Sequence, residues 1–262
     1  MDYKSLFDLT GKVCIVTGAT GYLGNANAKC LKDFGATVVI ADVRAEEERW
    51  EKEDIFRGDM YVYCDISSSQ SIAAAFKKVA DTYGKIDVLV NCANYGGGYG
   101  PESFLEFMPD AAFEKGIDGT ICATFRCTRE VIPYMKDNGG SIINYCSMYG
   151  LVSPDLRLYE GGTSRQPANY GAGKAAIEQF TRYCACDLAP YGIRVNAVTP
   201  GPFPNPSNQG GEFNRKLAGK TMLDRIGQNY EMSGAVLLLA SDASSYMTGT
   251  NIVVDGGWTA WY

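Results

Sequence analysis

The chain has 262 residues, 46% of them hydrophobic and 21% charged, enough for one substantial core and with no shift in composition that asks for a second domain. Thirty acidic against 24 basic residues leave a net charge of −6, which argues against a binder of the phosphate backbone, so nucleic acid is not an expected partner. The chain contains no histidine, which excludes Ser-His-Asp and Cys-His machinery, helix-borne histidine zinc sites and imidazole acid-base work.

Val13 to Val16 is a short apolar run that reads as a first strand. It leads into Thr17-Gly18-Ala19-Thr20-Gly21-Tyr22-Leu23-Gly24, after which Leu23, Ala26, Leu31 and Phe34 recur at roughly helical intervals. A strand, a glycine turn and a helix follow from this pattern. The glycines let the backbone turn sharply and let a pyrophosphate approach main-chain N–H groups at the positive end of the helix, although Gly24 could serve packing alone and Gly18 only a tight turn. Thr37 to Ala41 predicts a second strand ending at Asp42, 24 residues beyond Gly18. A carboxylate there accepts hydrogen bonds from a ribose diol and repels a 2′-phosphate, which favours NAD over NADP. Arg44 could accommodate that phosphate, or pair with the cluster Glu46 to Glu48.

Met60 to Cys64 predicts a third strand. Asp65 at its end could receive an adenine amino group, or with Ser67 and Ser68 could cap the next helix, which runs to about Tyr83 with Ile72, Phe76, Val79 and Ala80 inward. Ile86 to Val90, continuously apolar, predicts a fourth strand buried on both faces. It runs into Asn91-Cys92-Ala93-Asn94 and a glycine-rich stretch from Tyr95 through Tyr99 to Gly100, suited to cofactor or substrate approach or to plain connection. A long helix is predicted from about Ala111 to Met135, a fifth strand from Ser141 to Cys146 with Ser147 at its end, and an irregular stretch before Tyr170-Gly171-Ala172-Gly173-Lys174 opens a helix to Leu188. Ile193 to Val198 is the sixth strand, Pro200 to Gly211 a loop, Met232 to Ala240 a helix, and Ile252 to Val254 the seventh strand. The alternation specifies an α/β fold: a Rossmann-type doubly wound parallel sheet of seven strands with helices on both faces. Residues 1–262 form one domain, with ligands at the carboxyl ends of the strands.

Tyr170 and Lys174 are four residues apart and project from one helix face. An ammonium beside a phenol favours the phenolate and lowers the tyrosine pKa from about 10, each unit being worth about 1.4 kcal/mol. Tyr170 is then the candidate acid-base, Lys174 a holder of a ribose hydroxyl, and Ser147 a hydrogen-bond donor to the reacting oxygen. Singly, a Tyr and Lys at this spacing fit an exposed pair, and Ser147 fits a hydroxyl satisfying backbone groups. Their occurrence together, in order after a glycine turn, favours a site. No apolar run reaches the roughly 18 to 20 residues of a membrane span, and the first residues lack signal-peptide character, so a cytoplasmic protein with no membrane partner is expected. The nine scattered cysteines read as reduced, mostly buried thiols, with no metal site.

These stretches together resemble the short-chain dehydrogenase/reductase family over essentially the whole length: Thr17 to Gly24, Asp42, Asp65, Asn91 to Asn94, Ile142 to Ser147, Tyr170 to Lys174, Ile193 to Asn196, Pro200-Gly201, and Leu239 to Asp242 through Asp255-Gly256-Gly257. The resemblance implies reversible hydride transfer between a nicotinamide and an alcohol or ketone, with Ser147, Tyr170 and Lys174 in the roles above. It also implies cofactor contacts from Gly18, Thr20, Gly21, Tyr22, Leu23, Asp42, Asp65, Ile66, Asn91, Ala93, Tyr170, Lys174, Pro200, Gly201 and Phe203, with Val198 nearby. A homotetramer or homodimer is implied, with the helices over 111–135 and 168–188 and the end from Trp258 to Tyr262 in the interface.

Three departures stand out. The middle glycine is Gly21, the spacing of the family's larger epimerases and dehydratases, so Tyr22 is expected to begin the helix facing outward. Thr120 stands where an asparagine usually completes a proton relay. Ser147 and Tyr170 are 23 residues apart, wider than usual, with the extra segment around 155–166 expected over the substrate side. That segment carries Arg157, Tyr159, Arg165 and Gln166, and the glycine-rich loop adds Tyr95 and Tyr99. A polar, hydroxylated substrate such as a sugar or sugar acid is therefore expected, with Tyr95, Arg157 and Arg165 as its contacts; the arginines could equally be solvated or paired with Asp155 and Glu160. Alternatives are a hydroxysteroid or other apolar alcohol dehydrogenase, a catalytically weak NAD-binding module, and an epimerase.

Overall fold

The computed structural model describes residues 2–44, 56–98, 100–205 and 211–261. Among them, seven short apolar runs become one parallel sheet: β1 (Val13–Thr17), β2 (Thr37–Asp42), β3 (Met60–Tyr63), β4 (Val88–Asn91), β5 (Gly140–Tyr145), β6 (Ile193–Pro200) and β7 (Asn251–Val254), in the order β3-β2-β1-β4-β5-β6-β7. The helices are α1 (Tyr22–Asp33), α2 (Ser69–Tyr83), α3 (Asp110–Ile117), α4 (Ala123–Met135), the one-turn α5 (Met148–Leu151), α6 (Ala168–Leu188), α7 (Gly211–Ala218) and α8 (Ser233–Ala240).

All of β1 is buried because both faces are covered, and alternation of side chains splits its residues between two cores. Val13 and Ile15 join Phe76 of α2, Val131 of α4 and Leu188 of α6. Cys14 and Val16 join Leu31 of α1 and Val236 of α8. Strand order reverses direction between β1 and β4, and the register pairs Thr17 with Ala41 on one side and with Asn91 on the other. The carboxyl ends of β1, β2 and β4 therefore lie level around the crevice where ligands of such sheets bind.

The observed elements differ from the predicted ones where side chains compete for backbone groups. Cys64 and Cys146 fall just beyond their strands, and β4 begins at Val88, preceded by Asp87, whose carboxylate accepts from Val13 N at 2.7 Å. The long helix over 111–135 is continuous from Asp110 to Met135 but is widened by a π turn, Asp118–Cys122. There the Gly119 carbonyl accepts from Tyr95 N, and a Cβ on Gly119 would lie 1.9 Å from the Tyr95 carbonyl oxygen, so the close approach of the loop after β4 opens the helical ladder. Helix α7 follows the loop over 200–211, in a stretch to which the sequence assigned no element, and the turn Leu156–Tyr159 lies in one expected to be irregular. Trp258 packs inside the molecule against Tyr149, Trp261 is half exposed, and Tyr262 lies outside the described residues.

Candidate active site

At the turn after β1, Gly18 has φ +66°, and a Cβ there would meet Ala93 Cα at 2.9 Å; on Gly24 it would meet the Gly18 oxygen at 2.4 Å. Only glycine permits this approach. Gly21 is the N-cap of α1 without a side-chain cap, so the first N–H groups of a twelve-residue helix face the crevice unclaimed by side chains. Tyr22 is the first residue of α1, as expected, and Leu23 packs toward the core.

A cavity of about 550 Å³ opens there, walled by Gly18, Thr20, Gly21, Asp42, Asp65, Ile66 and Ala93, with Arg44, Tyr95 and Lys115 also reaching it. The buried Asp42 carboxylate accepts from Thr20 N at 3.1 Å and Thr20 Oγ1 at 2.7 Å, and from Arg44 N at 3.3 Å, which locks the glycine turn to the end of β2. The cluster Glu46 to Glu48, the other suggested partner of Arg44, lies outside the described residues. Asp65 accepts from Ser67 N at 2.9 Å and Ser68 caps α2, so the capping role and a place in the cavity wall coexist. A dinucleotide fits these residues: a glycine approach, an uncapped helix start and a buried carboxylate.

Not every expected contact reaches the cavity wall. Asn91 is buried and its amide donates to Asn144 Oδ1 at 2.9 Å and Thr128 Oγ1 at 3.3 Å. Val198 lies in the core beneath. Pro200 ends β6, Gly201 is pressed against Asp255 at 2.5 Å from a built Cβ, and Phe203 covers Gly227 beside a separate cavity of about 80 Å³.

The second group of residues sits at the ends of β5 and α6. Ser147 lies two residues beyond β5 and is buried; its Oγ accepts from Tyr149 N at 3.2 Å, capping α5. Lys174 is buried, its Nζ donates to the Tyr145 carbonyl at 2.7 Å and lies 5.7 Å from the centroid of the Tyr170 ring. Tyr145 itself accepts from the Asn27 amide of α1, so one residue touches both Lys174 and the helix of the glycine turn. Burial depresses the Lys174 ammonium. For Tyr170 the direction expected from the sequence is reversed: burial raises its pKa, and the Ser147 hydroxyl only partly opposes this. The ammonium stands over the ring and is held by a carbonyl, so desolvation of the phenolate wins.

Thr120, in the π turn, packs on α6: a Cβ on Gly173 would lie 1.8 Å from its Oγ1. Its hydroxyl donates to Gly116 O at 2.8 Å within its own helix. Asn169, which carried no sequence signal, is fully buried beside it and donates to Ala112 O at 2.8 Å.

The expected substrate contacts are placed elsewhere. Tyr95 lines the cavity, but its hydroxyl donates to the Asp118 carboxylate, which also binds Arg126. Burial pushes that phenol up to about 12, and Arg126 holds Asp118 below the usual carboxylate range. Arg157 is exposed and makes two bonds of 2.8 Å to Asp155, which also binds Lys220. Arg165 stacks on Phe104 at 4.5 Å and lines a groove with Tyr149, Gly171, Ala172 and Ala175, the last three on the side of α6 turned away from Tyr170 and Lys174. Tyr99 lies outside the described residues. What the segment before Tyr170 brings instead is apolar: Leu158 joins Met148, Tyr149, Leu217 and Trp258 in a cluster on which Tyr159, Tyr170 and Phe213 pack. Among the described residues no group of three or more His, Cys, Asp or Glu could hold a metal, and no helix is long and apolar enough to cross a membrane.

A family profile described as Enoyl-(Acyl carrier protein) reductase matches residues 18–259. The chain is 34% identical over 258 residues to a trans-4-hydroxycyclohexanecarboxylate dehydrogenase of Sinomonas cyclohexanicum, covering 95% of this chain and 93% of that one. It is 33% identical over 258 residues to a cyclopentanol dehydrogenase of Comamonas, covering 95% and 97%. A short-chain type dehydrogenase/reductase from Mycobacterium marinum superposes with a TM-score of 0.85 at 30% identity, covering 99% of each chain. With the sheet, the glycine turn and the Ser147, Tyr170 and Lys174 positions in place, these similarities establish that the chain belongs to the short-chain dehydrogenase/reductase family and is an alcohol dehydrogenase/reductase.

Proposed function

We propose that the protein oxidises a cyclic secondary alcohol, or reduces the corresponding ketone, with NAD in preference to NADP. The observation that carries this reading is the group of buried Ser147 and Lys174 with half-buried Tyr170, which packs on the apolar cluster of Tyr149, Leu158 and Trp258. A bound nicotinamide supplies the hydride acceptor or donor. In reduction, the Tyr170 phenol gives its proton to the carbonyl oxygen while Ser147 Oγ donates to the same oxygen; in oxidation Tyr170 takes the hydroxyl proton back. Lys174, held by the Tyr145 carbonyl, keeps further N–H donors for a ribose hydroxyl. Asp42 supports NAD, since a 2′-phosphate would meet a buried carboxylate.

The sugar-acid expectation loses its motivation, because Arg157 and Arg165 are engaged away from Tyr170. Alicyclic alcohols name both relatives above. A weakly catalytic NAD-binding module has one observation in its favour, the Thr120 hydroxyl turned into its own helix. The free thiols fit a reducing compartment, and exposed Phe113, Phe125 and Tyr183 on α3, α4 and α6 fit a homotetramer or homodimer, which light scattering tests.

A cofactor-linked absorbance assay over cyclopentanol, cyclohexanol, a hydroxysteroid and gluconate, each with NAD and NADP, decides the main reading. Turnover of the ring alcohols with NAD, lost in Tyr170→Phe, is expected. Preference for gluconate or for NADP would overturn it, and no turnover of any alcohol would favour the binding module.

A further inference from the structure

We propose that the buried side chains of Asn27, Tyr145 and Ser233 are positioning residues for the cofactor: they fix the helix of the glycine turn against Lys174, so that the two ends of the dinucleotide site keep one spacing. This rests on the reading of Lys174 as the ribose contact given under the proposed function.

The buried face of α1 is made by Gly24, Asn27, Ala28 and Leu31, so an amide holds a core position on this helix. Asn27 is fully buried, and Tyr145 and Ser233 nearly so. Tyr145 belongs to the apolar cluster of Val16, Leu31, Ile143 and Val236. Both ends of the Asn27 amide are used, and each reaches a different element. Its nitrogen donates to the Tyr145 hydroxyl on β5, and its oxygen accepts from Ser233 Oγ, at the start of α8, at 3.3 Å. Tyr145 completes the path. As the last residue of β5 it sends its ring to α1, while its carbonyl accepts from Lys174 Nζ at 2.7 Å. Helix α6, which carries Lys174, packs on the opposite face of the sheet through Cys184, Ala185 and Leu188. The network therefore joins α1 and α8 on one face to Lys174 on the other.

Stability alone does not call for such a network. Three polar side chains in an apolar core lose hydration that their mutual bonds roughly offset, and hydrocarbon side chains of the same shape would serve as well. What hydrogen bonds add is direction: a bonded network specifies one arrangement, where apolar contacts tolerate sliding. Asn27 lies six residues beyond Gly21, about 9 Å along the helix, so holding Asn27 holds the N–H groups at the start of α1 that no side chain claims. A second tie acts at that end, since the Asn229 amide donates to the Tyr22 carbonyl at 3.2 Å. Burial pushes the Tyr145 phenol far above its ordinary range, so the network is neutral. A dinucleotide that touches both the start of α1 and Lys174 senses their spacing. A mononucleotide confined to the Asp42 and Asp65 end does not.

The test compares the wild type, Lys174→Met, the apolar triple variant Asn27→Leu/Tyr145→Phe/Ser233→Ala, and the two sets of changes combined. NADH binding is read by fluorescence titration and AMP binding by calorimetry, with urea unfolding to confirm that each protein is folded under the binding conditions. The triple variant is expected to bind NADH about tenfold more weakly, as suits one charge-assisted hydrogen bond drawn out of line, and AMP within about twofold of the wild type. Added to Lys174→Met, the three changes should bring no further loss, because they act through that residue. Tyr145→Phe alone, which removes one hydroxyl and keeps the ring, should show the same split between NADH and AMP and decides the question if the triple variant does not fold. Three results overturn the proposal: unchanged NADH affinity, an equal loss for NADH and AMP, or a full further loss on the Lys174→Met background. If Lys174→Met weakens NADH and the network variants do not, the positioning role fails and the proposed function stands. If Lys174→Met binds NADH as the wild type does, the ribose contact fails and the positioning role with it.

Discussion

Tyr170 is the residue on which sequence and structure disagree most usefully. Its neighbour Lys174 invites the expectation of a lowered pKa, yet burial raises it and the ammonium is committed to Tyr145. The sign of the pH dependence follows. A raised pKa keeps the phenol protonated through neutral pH, so ketone reduction should hold level there and decline only as pH climbs past the ordinary phenol value of about 10. Alcohol oxidation needs the phenolate and should climb over the same range. Measured profiles of kcat/KM in both directions check this; a reductive limb already falling below neutral pH would refute it. Removing the hydroxyl in Tyr170→Phe should lower kcat by roughly 10²- to 10⁴-fold, the usual worth of a positioned acid-base, with little change in fold stability. Asp42, Ser147, Tyr170 and Lys174 were legible because their chemistry is tied to chain position: each sits at a strand end or on one helix face. The fate of Arg157 was not, because whether it faces substrate or Asp155 depends on the turn Leu156–Tyr159, which no periodicity announces.

At the scale of elements, α6 meets α3 and the π turn along a seam of small residues. Gly173 leaves room for Thr120, and Gly116 leaves room for Asn169, whose amide nitrogen would lie 2.3 Å from a Cβ. Gly173→Ala should force these helices apart next to Lys174, costing about 1 to 3 kcal/mol as overpacking does. Denaturant titration should show a lower midpoint, and kcat should fall more than KM changes. Gly234 in α8 offers the contrast, since nothing lies within 4 Å of a built Cβ. Gly234→Ala should be neutral or add up to about 1 kcal/mol, from helix propensity. If the two variants behave alike, the seam is not tightly packed. The predicted helix over 111–135 is helical from Asp110 to Met135 but carries a π turn at this seam: apolar spacing marks a helix but carries no trace of the Tyr95 loop that takes the Gly119 carbonyl.

For the whole molecule, burial of thiols sets a limit at alkaline pH. Cys14, Cys64 and Cys146 are almost fully buried, and burial raises all three pKa values, Cys64 and Cys146 to about 12. In the unfolded chain they ionise near the ordinary thiol value, so the unfolded state loses protons first and stability falls as pH rises. Each thiol should cost about 1.4 kcal/mol per pH unit above roughly 9, until the folded form ionises as well. Urea midpoints at rising pH under reductant should show this, and Cys64→Ala should flatten the slope. A midpoint unchanged across this range would show that the thiols are not desolvated in the native state.

The sequence by itself determined the fold and marked the candidate chemical end of the site, since alternating strand and helix patterns, a glycine turn and the Ser147, Tyr170 and Lys174 spacing are local properties of the chain. The glycine turn's earlier middle residue also resolved locally, with Gly21 capping α1 and Tyr22 opening it. Only the tertiary structure decided the protonation bias of Tyr170, the partners of Tyr95, Arg157 and Arg165, and the meeting of Tyr149 with Tyr159. These depend on desolvation and on contacts between segments far apart in sequence, and neither is encoded in the spacing of residues along one element.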